Sequence, residues 1–210
     1  MAEALPAGAA VGSAAPAEPI SFEQFLDWCD EDTHAEWRGG RVVVMSPATR
    51  GHARLVSYLS RLLGYYMDVT GAGEVLGEPF QMRLAAAKSS RSPDLMLVAA
   101  AHRDRIAELY LDGPADLVIE VLSPGSRGRD RGEKYYEYEQ AGVPEYWLLD
   151  ASREQAEFYQ LDAEGRYRAV APDGGVYRSA VFEGLWLEMT WLWRGQPLPQ
   201  VVAAWGLAGC

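Results

Sequence analysis

The stretch from Ala115 to Asp150, ADLVIEVLSPGSRGRDRGEKYYEYEQAGVPEYWLLD, constrains the fold more than any other part of the chain. It opens on an apolar run, Leu117 to Leu122, broken only by Glu120. A near-continuous run of this kind reads as a strand covered on both faces, where an unpaired carboxylate is costly or takes up a proton. Glu120 therefore needs a partner, and a divalent cation suits it. After the turn Ser123-Pro124-Gly125-Ser126, the segment from Arg129 to Ala141 reads as a helix with Asp130, Lys134 and Tyr138 one turn apart on one face. Gly142 and Pro144 end it, and Glu145 to Asp150 reads as the next strand. Strand, crossover helix, strand is the pattern of a parallel pairing in an α/β sheet.

A second carboxylate stands upstream, in Ser92-Pro93-Asp94 at the head of the apolar run Leu95 to Ala101. Proline is tolerated at a strand entrance because the first residue need not donate to the ladder. If the strands of Asp94 and Glu120 are neighbours, both carboxylates can reach one hard cation, which prefers oxygen ligands. Taken alone, Pro93-Asp94 is equally a turn pair.

Pro93-Asp94, Glu120-Val121-Leu122, Ser123-Pro124, Asp130, Lys134, Tyr138 and Gly142-Val143-Pro144-Glu145-Tyr146-Trp147 together resemble the Uma family of bacterial restriction-endonuclease-like proteins, a branch of the PD-(D/E)XK nuclease superfamily. The likeness covers roughly residues 20 to 195. It implies a restriction-endonuclease-like α/β fold, a mixed central sheet flanked by helices, with antiparallel strands toward the C-terminus. The superfamily pattern sets a lysine two residues after the acid, where this chain has Leu122. In the family the lysine sits on the following helix, and Lys134 occupies the matching place. The resemblance further implies magnesium or manganese held by Asp94, Glu120 and the Val121 carbonyl. It also implies a contribution from Glu36 to that site or a second one, DNA as substrate, and Asp94, Glu120 and Lys134 as catalytic residues. Such a metal offsets charge at the scissile phosphate and activates water, and magnesium retains enough waters to need only one or two carboxylates. Tyr138 then supports the lysine or faces substrate; otherwise it packs the helix onto the sheet.

Other segments are read from residue pattern. Ser21 caps a short helix with Gln24 three residues on and Phe22, Phe25, Leu26 and Trp28 as its apolar face, closed by the acidic run Asp30, Glu31, Asp32. Gly39-Gly40 makes a hairpin turn before Val42 to Met45; without the family likeness, Glu36 on the first arm is an edge-strand surface acid. Leu55, Tyr58, Leu59, Leu62 and Tyr66 predict an amphipathic helix over 51–67. His52, in its first turn, either touches a phosphate backbone or is an exposed or capping histidine. Glu74 to Leu76 and Phe80 to Leu84 read as strands, and Lys88 to Arg91 as a basic loop that binds phosphate or faces solvent. Arg127, Arg129 and Arg131 at the head of the Lys134 helix contact phosphate or pair with nearby acids. Beyond Asp150, the stretches 156–160, 167–171, 176–177 and 185–189 read as strands between polar turns. Trp186, Trp191, Trp193 and Trp205 suggest either a homodimer interface or a filled small core.

Length and composition bound the remainder. The 210 residues suit a flexible Ala/Pro-rich leader at 1–19, one nuclease-like domain at 20–195 and a C-terminal tail at 196–210. No run reaches the length of a membrane span, and Cys29 and Cys210 lie apart without metal-ligand spacing, which fits a cytoplasmic protein. The net charge of −11 lacks the basic footprint of most nucleic-acid binders, so any substrate cleft must be locally positive or metal-assisted. Two classes stay open: a metal-dependent endonuclease, and a nuclease-like fold without catalysis serving as a binding or regulatory module. A two-acid carbohydrate hydrolase leaves the lysine without a role.

Overall fold

The computed structural model describes residues 15–30, 33–45, 48–123 and 127–207. In it, α1 (Phe22–Trp28) precedes a hairpin of β1 (Ala35–Arg38) and β2 (Arg41–Val44), and the long α2 (Arg50–Thr70) follows. Next come β3 (Gly73–Gly77), β4 (Gln81–Leu84), β5 (Ser89–Arg91), β6 (Leu95–Ala99), β7 (Tyr110–Asp112) and β8 (Leu117–Val121). A short α3 (Arg127–Arg129), a π-helical turn (Asp130–Lys134) and α4 (Tyr135–Ala141) lead to β9 (Glu145–Asp150). The chain ends with β10 (Gln155–Leu161), β11 (Tyr167–Ala169), β12 (Val176–Arg178), β13 (Trp186–Glu188), α5 (Met189–Arg194) and α6 (Leu198–Ala204).

Local chemistry sets several boundaries. Ser21 and Gln24 close a reciprocal capping box on α1, with Oγ of Ser21 accepting from the Gln24 amide and the Gln24 side chain accepting from the Ser21 amide at 2.8 Å. Thr49 caps α2 and Gly71, left-handed at φ 67°, ends it. Gly39 and Gly40 both take positive φ, which is what the tight β1–β2 turn requires.

A six-stranded mixed sheet, in the order β11-β10-β9-β8-β6-β3, is the spine of the molecule. β8 and β9 run parallel with Leu117 opposite Glu145, joined by the crossover through α4 that their sequence predicts. β6 lies antiparallel on the other side of β8, so the strands of Asp94 and Glu120 are indeed neighbours. On β8, Leu117, Ile119 and Val121 pack under α2 with Leu59, Leu62 and Leu63. Val118 and Leu122 turn the other way, onto Tyr138 and Tyr146, and alternation puts Glu120 on that second face. A five-stranded sheet, β2-β1-β5-β4-β7, closes over this face, while β12 and β13 pair separately.

Three expectations change. Ser89–Arg91 is a buried strand, not a basic loop, because β5 is inserted between β1 and β4. For the same reason β1 has neighbours on both sides, so Glu36 is neither at an edge nor exposed. The segment expected as a tail contains α6, whose Val201 and Val202 are buried. Of the two readings of the tryptophans, the packing agrees with core filling: Trp186 and Trp191 meet at 4.8 Å between ring centres, and Trp205 donates to the Trp186 carbonyl at 2.7 Å. Residues 1–14 of the expected leader, Glu31 and Asp32 of the acidic run, the turn residues Pro124, Gly125 and Ser126, and Cys210 lie outside the described residues.

Glu145 ties the C-terminal elements to the spine. Its buried carboxylate accepts from Trp147 Nε1 at 2.6 Å, Tyr177 Oη at 2.8 Å, Ser179 Oγ at 2.7 Å and the Ala180 amide at 3.0 Å. Tyr177→Phe removes one hydrogen bond to a charged acceptor and is expected to cost about 1.5–3 kcal/mol in denaturant unfolding. No change in the midpoint would mean that the remaining donors re-satisfy the carboxylate.

Candidate active site

Lys134 is the centre of the site. The π-helical turn and the start of α4 deliver it to the second face of the spine, where only 2% of it is exposed. Its Nζ lies 2.7 Å from Glu120 Oε1, 3.0 Å from Glu36 Oε1 and 3.6 Å from Asp130 Oδ1. Tyr138, one turn on, donates its hydroxyl to the same Glu120 oxygen at 2.8 Å. The sequence-derived face of Asp130, Lys134 and Tyr138 is therefore real, and it points at Glu120.

Asp94 joins from the residue just before β6. Its Oδ2 accepts the Val121 amide at 2.6 Å, directly beside Glu120, and its Oδ1 lies 2.9 Å from His52 Nε2. Burial works against a charged His52, but the bond to Asp94 outweighs it and raises the imidazole above its ordinary value. Thus His52 is neither a simple cap nor a free surface group, although its backbone amide does receive the Thr49 cap. A cavity of about 490 Å³ opens beside this pair, lined by His34, His52, Val56, Ser60, Glu78 and Asp94 among others.

The charge balance is carboxylate-rich. Burial pushes the Glu120 carboxyl well above its usual range; Lys134 opposes this, while Asp130, Asp94 and Glu36 add to it. Burial alone would depress Lys134, but Glu120, Glu36 and Asp130 hold it well above the ordinary lysine range. Glu36 goes the other way: despite burial, Lys134 and Arg91 hold it low. Glu78, on the cavity wall, is raised by burial and by Asp94. The Lys134 ammonium is shared by Glu120, Glu36 and Asp130, and Arg91 adds a second cation at Glu36.

Not every candidate meets the others in the same way. Glu36 is bound by a cation at each oxygen, Arg91 at 2.7 Å and Lys134 at 3.0 Å, so it braces the lysine. Among the described residues, no group of three or more His, Cys, Asp or Glu is arranged to hold a metal ion. Asp94 stands just before β6 and Glu120 on the neighbouring β8, Asp94 on the Val121 amide and Glu120 on Lys134. Arg131 is neutralised by Glu157, and Arg129 leans on Met45 Sδ at 3.2 Å, so these two do not converge on the acid pair. The side chain of Arg127 lies outside the described residues.

Sequence reasoning missed Arg91 and Glu137 as members of the network. Arg91, 1% exposed, bridges Glu36 to a bidentate pair with Glu137 at 2.8 and 2.7 Å. A weak signal existed, since Glu137 follows Lys134 by three residues and shares its helical face. Glu78 was missed too, with nothing more than its place between Gly77 and Pro79 to mark it.

Comparison with known proteins agrees with this architecture. The model of the Uma2 family, described as "Putative restriction endonuclease", matches residues 22–190. The uncharacterized protein slr1290 of Synechocystis sp. (strain ATCC 27184 / PCC 6803 / Kazusa) is 26% identical over 72% of this chain and 79% of its own length. The uncharacterized protein sll1609 of the same organism is 27% identical over 60% of this chain and 71% of its own. A solved structure described as "a putative nuclease belonging to DUF820", from Anabaena variabilis ATCC 29413, shares the fold with a TM-score of 0.71. The match covers 84% of this chain and 98% of that one at 16% identity.

Proposed function

The chain belongs to the Uma2 family, and on that premise we propose that it is a metal-dependent endonuclease of PD-(D/E)XK type, hydrolysing phosphodiester bonds in DNA. The observation that carries this reading is a pair of contacts at adjacent residues of β8: Asp94 on the Val121 amide and Lys134 on Glu120. The carboxylate excess around them fits a hard dication, which Asp94, Glu120 and the Val121 carbonyl would hold. When bound, magnesium or manganese would neutralise charge at the scissile phosphate and acidify a water.

The chain's own residues supply the rest. His52 and the Val121 amide fix the Asp94 carboxylate from two sides, so its orientation does not depend on the ligand. Tyr138 and Lys134 both hold one Glu120 oxygen, which fixes the second carboxylate in the same way. Lys134, already aimed into this cluster, has protons to offer to a developing phosphoryl oxyanion or an attacking water. Glu36, braced by Arg91, keeps the ammonium charged and in place.

A second reading has its own observation. Lys134 and Glu120 are buried and satisfy each other, as a purely structural ion pair would. Nicking of supercoiled plasmid separates the two: the endonuclease converts it to open circles only with magnesium or manganese, and a module without catalysis leaves it intact. Metal binding is read independently by thermal unfolding. Added metal at about a hundredfold excess over Kd stabilises the fold by about 2.7 kcal/mol, and isosteric Asp94→Asn is expected to erase that gain. An equal metal response in Asp94→Asn and the parent would place the ion elsewhere.

A further inference from the structure

We propose a phosphate subsite on the outer edge of α2, formed by Arg54 and Arg61 on either side of the Tyr58 hydroxyl, which takes the nucleic-acid backbone away from the cleavage position. The identity of the ligand as a nucleic-acid strand rests on the nuclease reading; the site itself rests on separate observations.

Arg54, Tyr58 and Arg61 follow one another at intervals of four and three, so they share one face of α2. Two clefts of about 100 and 170 Å³ meet at Tyr58 and Gly195, and Arg54 lines the first while Arg61 lines the second. Tyr58 is 7% exposed, yet its buried hydroxyl has no hydrogen-bond partner. An unmade hydrogen bond in a buried place is unfavourable, and the Tyr58 side chain that carries it lines both clefts. Neither arginine is paired with a carboxylate among the described residues; Arg61 donates only its Nε, to the Ser57 carbonyl at 3.2 Å. Exposed Glu154 lines the first cleft and subtracts one charge there.

Position connects these clefts to the acid pair. Gly51 lines the first cleft and is the neighbour of His52, which meets Asp94. Ala151, on the same wall, directly follows β9, whose Leu149 pairs with Val121. The first turns of α2 therefore stand between the two places, His52 toward one and Arg54 toward the other. From Arg54 to Arg61 is about 10 Å along the helix axis, so the two guanidinium groups can take different phosphates of one strand. Guanidinium groups bind phosphate in a bidentate fork, and such contacts fix where a strand lies without reading its bases. Elsewhere the arginines near the active site are engaged: Arg91 is buried, and Arg131 is held by Glu157. In a chain of net charge −11, Arg54 and Arg61 bring two exposed cations to one helix face, without a carboxylate partner among the described residues.

The test is fluorescence anisotropy of a labelled single-stranded oligonucleotide, titrated with the full chain without divalent metal, at several salt concentrations between 50 and 200 mM. Arg54→Ala/Arg61→Ala is expected to weaken binding about tenfold and to reduce the slope of log K against log salt by about 1.4, at ~0.7 per phosphate of a single strand. Tyr58→Phe is expected to weaken binding with the slope retained, and Arg54→Lys/Arg61→Lys to restore most of the slope. Circular dichroism confirms that each variant is folded, and Arg168→Ala, an exposed arginine paired with Asp162 on β11, is the control. An unchanged slope in the double variant, an equal loss from Arg168→Ala, or no binding by the parent chain overturns the subsite. Binding with the expected slope but no cleavage under any metal leaves the subsite standing and removes the nuclease reading. Cleavage with an unaltered slope in the double variant does the reverse.

Discussion

Arg91→Met is expected to lower the free energy of unfolding by about 3–5 kcal/mol, the range for removing one partner from a buried charge network. The guanidinium is 1% exposed and holds Glu36, itself 0% exposed, at 2.7 Å, with the Glu137 carboxylate in a two-pronged pair on its other side. Without it, Glu36 retains only Lys134, and Glu137 keeps a 3.7 Å contact with Arg38. Much of the loss is uncompensated buried charge, so Arg91→Met/Glu36→Gln should recover part of it by removing one charge of each sign. Equilibrium urea unfolding measures both. If Arg91 instead faced phosphate, as a basic loop before Asp94 would allow, the single variant would keep its stability and lose nucleic-acid affinity.

Lys134→Ala is expected to reduce plasmid nicking by about 10²–10³-fold, the usual consequence of deleting a charge-stabilising donor at a reacting centre. Because the same ammonium neutralises Glu120, Glu36 and Asp130, the substitution also destabilises the fold. Lys134→Ala/Glu36→Gln restores part of the charge balance and is the form in which cleavage should be read, at a temperature where circular dichroism shows it folded. Tyr138→Phe is the discriminating companion. It removes a hydrogen bond to the same Glu120 oxygen, worth about 1.5–3 kcal/mol with a charged acceptor, and leaves the ammonium in place. Nicking by Tyr138→Phe should therefore stay far above that of the lysine variant. Equal losses in the two would mean that both act only by holding Glu120, and that the lysine has no part in the chemistry.

Glu120 with Lys134 and Tyr138 was legible in the residues because burial and charge conflict openly there. A carboxylate in the middle of LVIEVL has no bland explanation, and the helix after it repeats polar groups at the spacing of one turn. Asp94 was legible for a different reason, since Pro93 fixes it at a strand entrance. Arg91 and Glu36 were misread because each looked exposed. Lys88-Ser89-Ser90-Arg91 has the composition of a turn, and Glu36 sits just before a Gly-Gly hairpin. What buried them is the pairing of β5 between β1 and β4, a contact between segments some fifty residues apart.

The sequence by itself determined the parallel β8–β9 unit, the long apolar face of α2 and the helical segment that carries Lys134, because each depends on local pattern: an apolar run with a crossover helix, or side chains recurring once per helical turn. Only the tertiary structure decided which charges compensate which. Glu36 meets Arg91 and Lys134, Asp94 meets His52, and Arg131 meets Glu157 through distances that no local spacing encodes. The physical reason is that a buried charge takes its partner from whatever the packed layers bring within a few ångströms. Sequence separation has no bearing on Coulomb energy once the chain is folded.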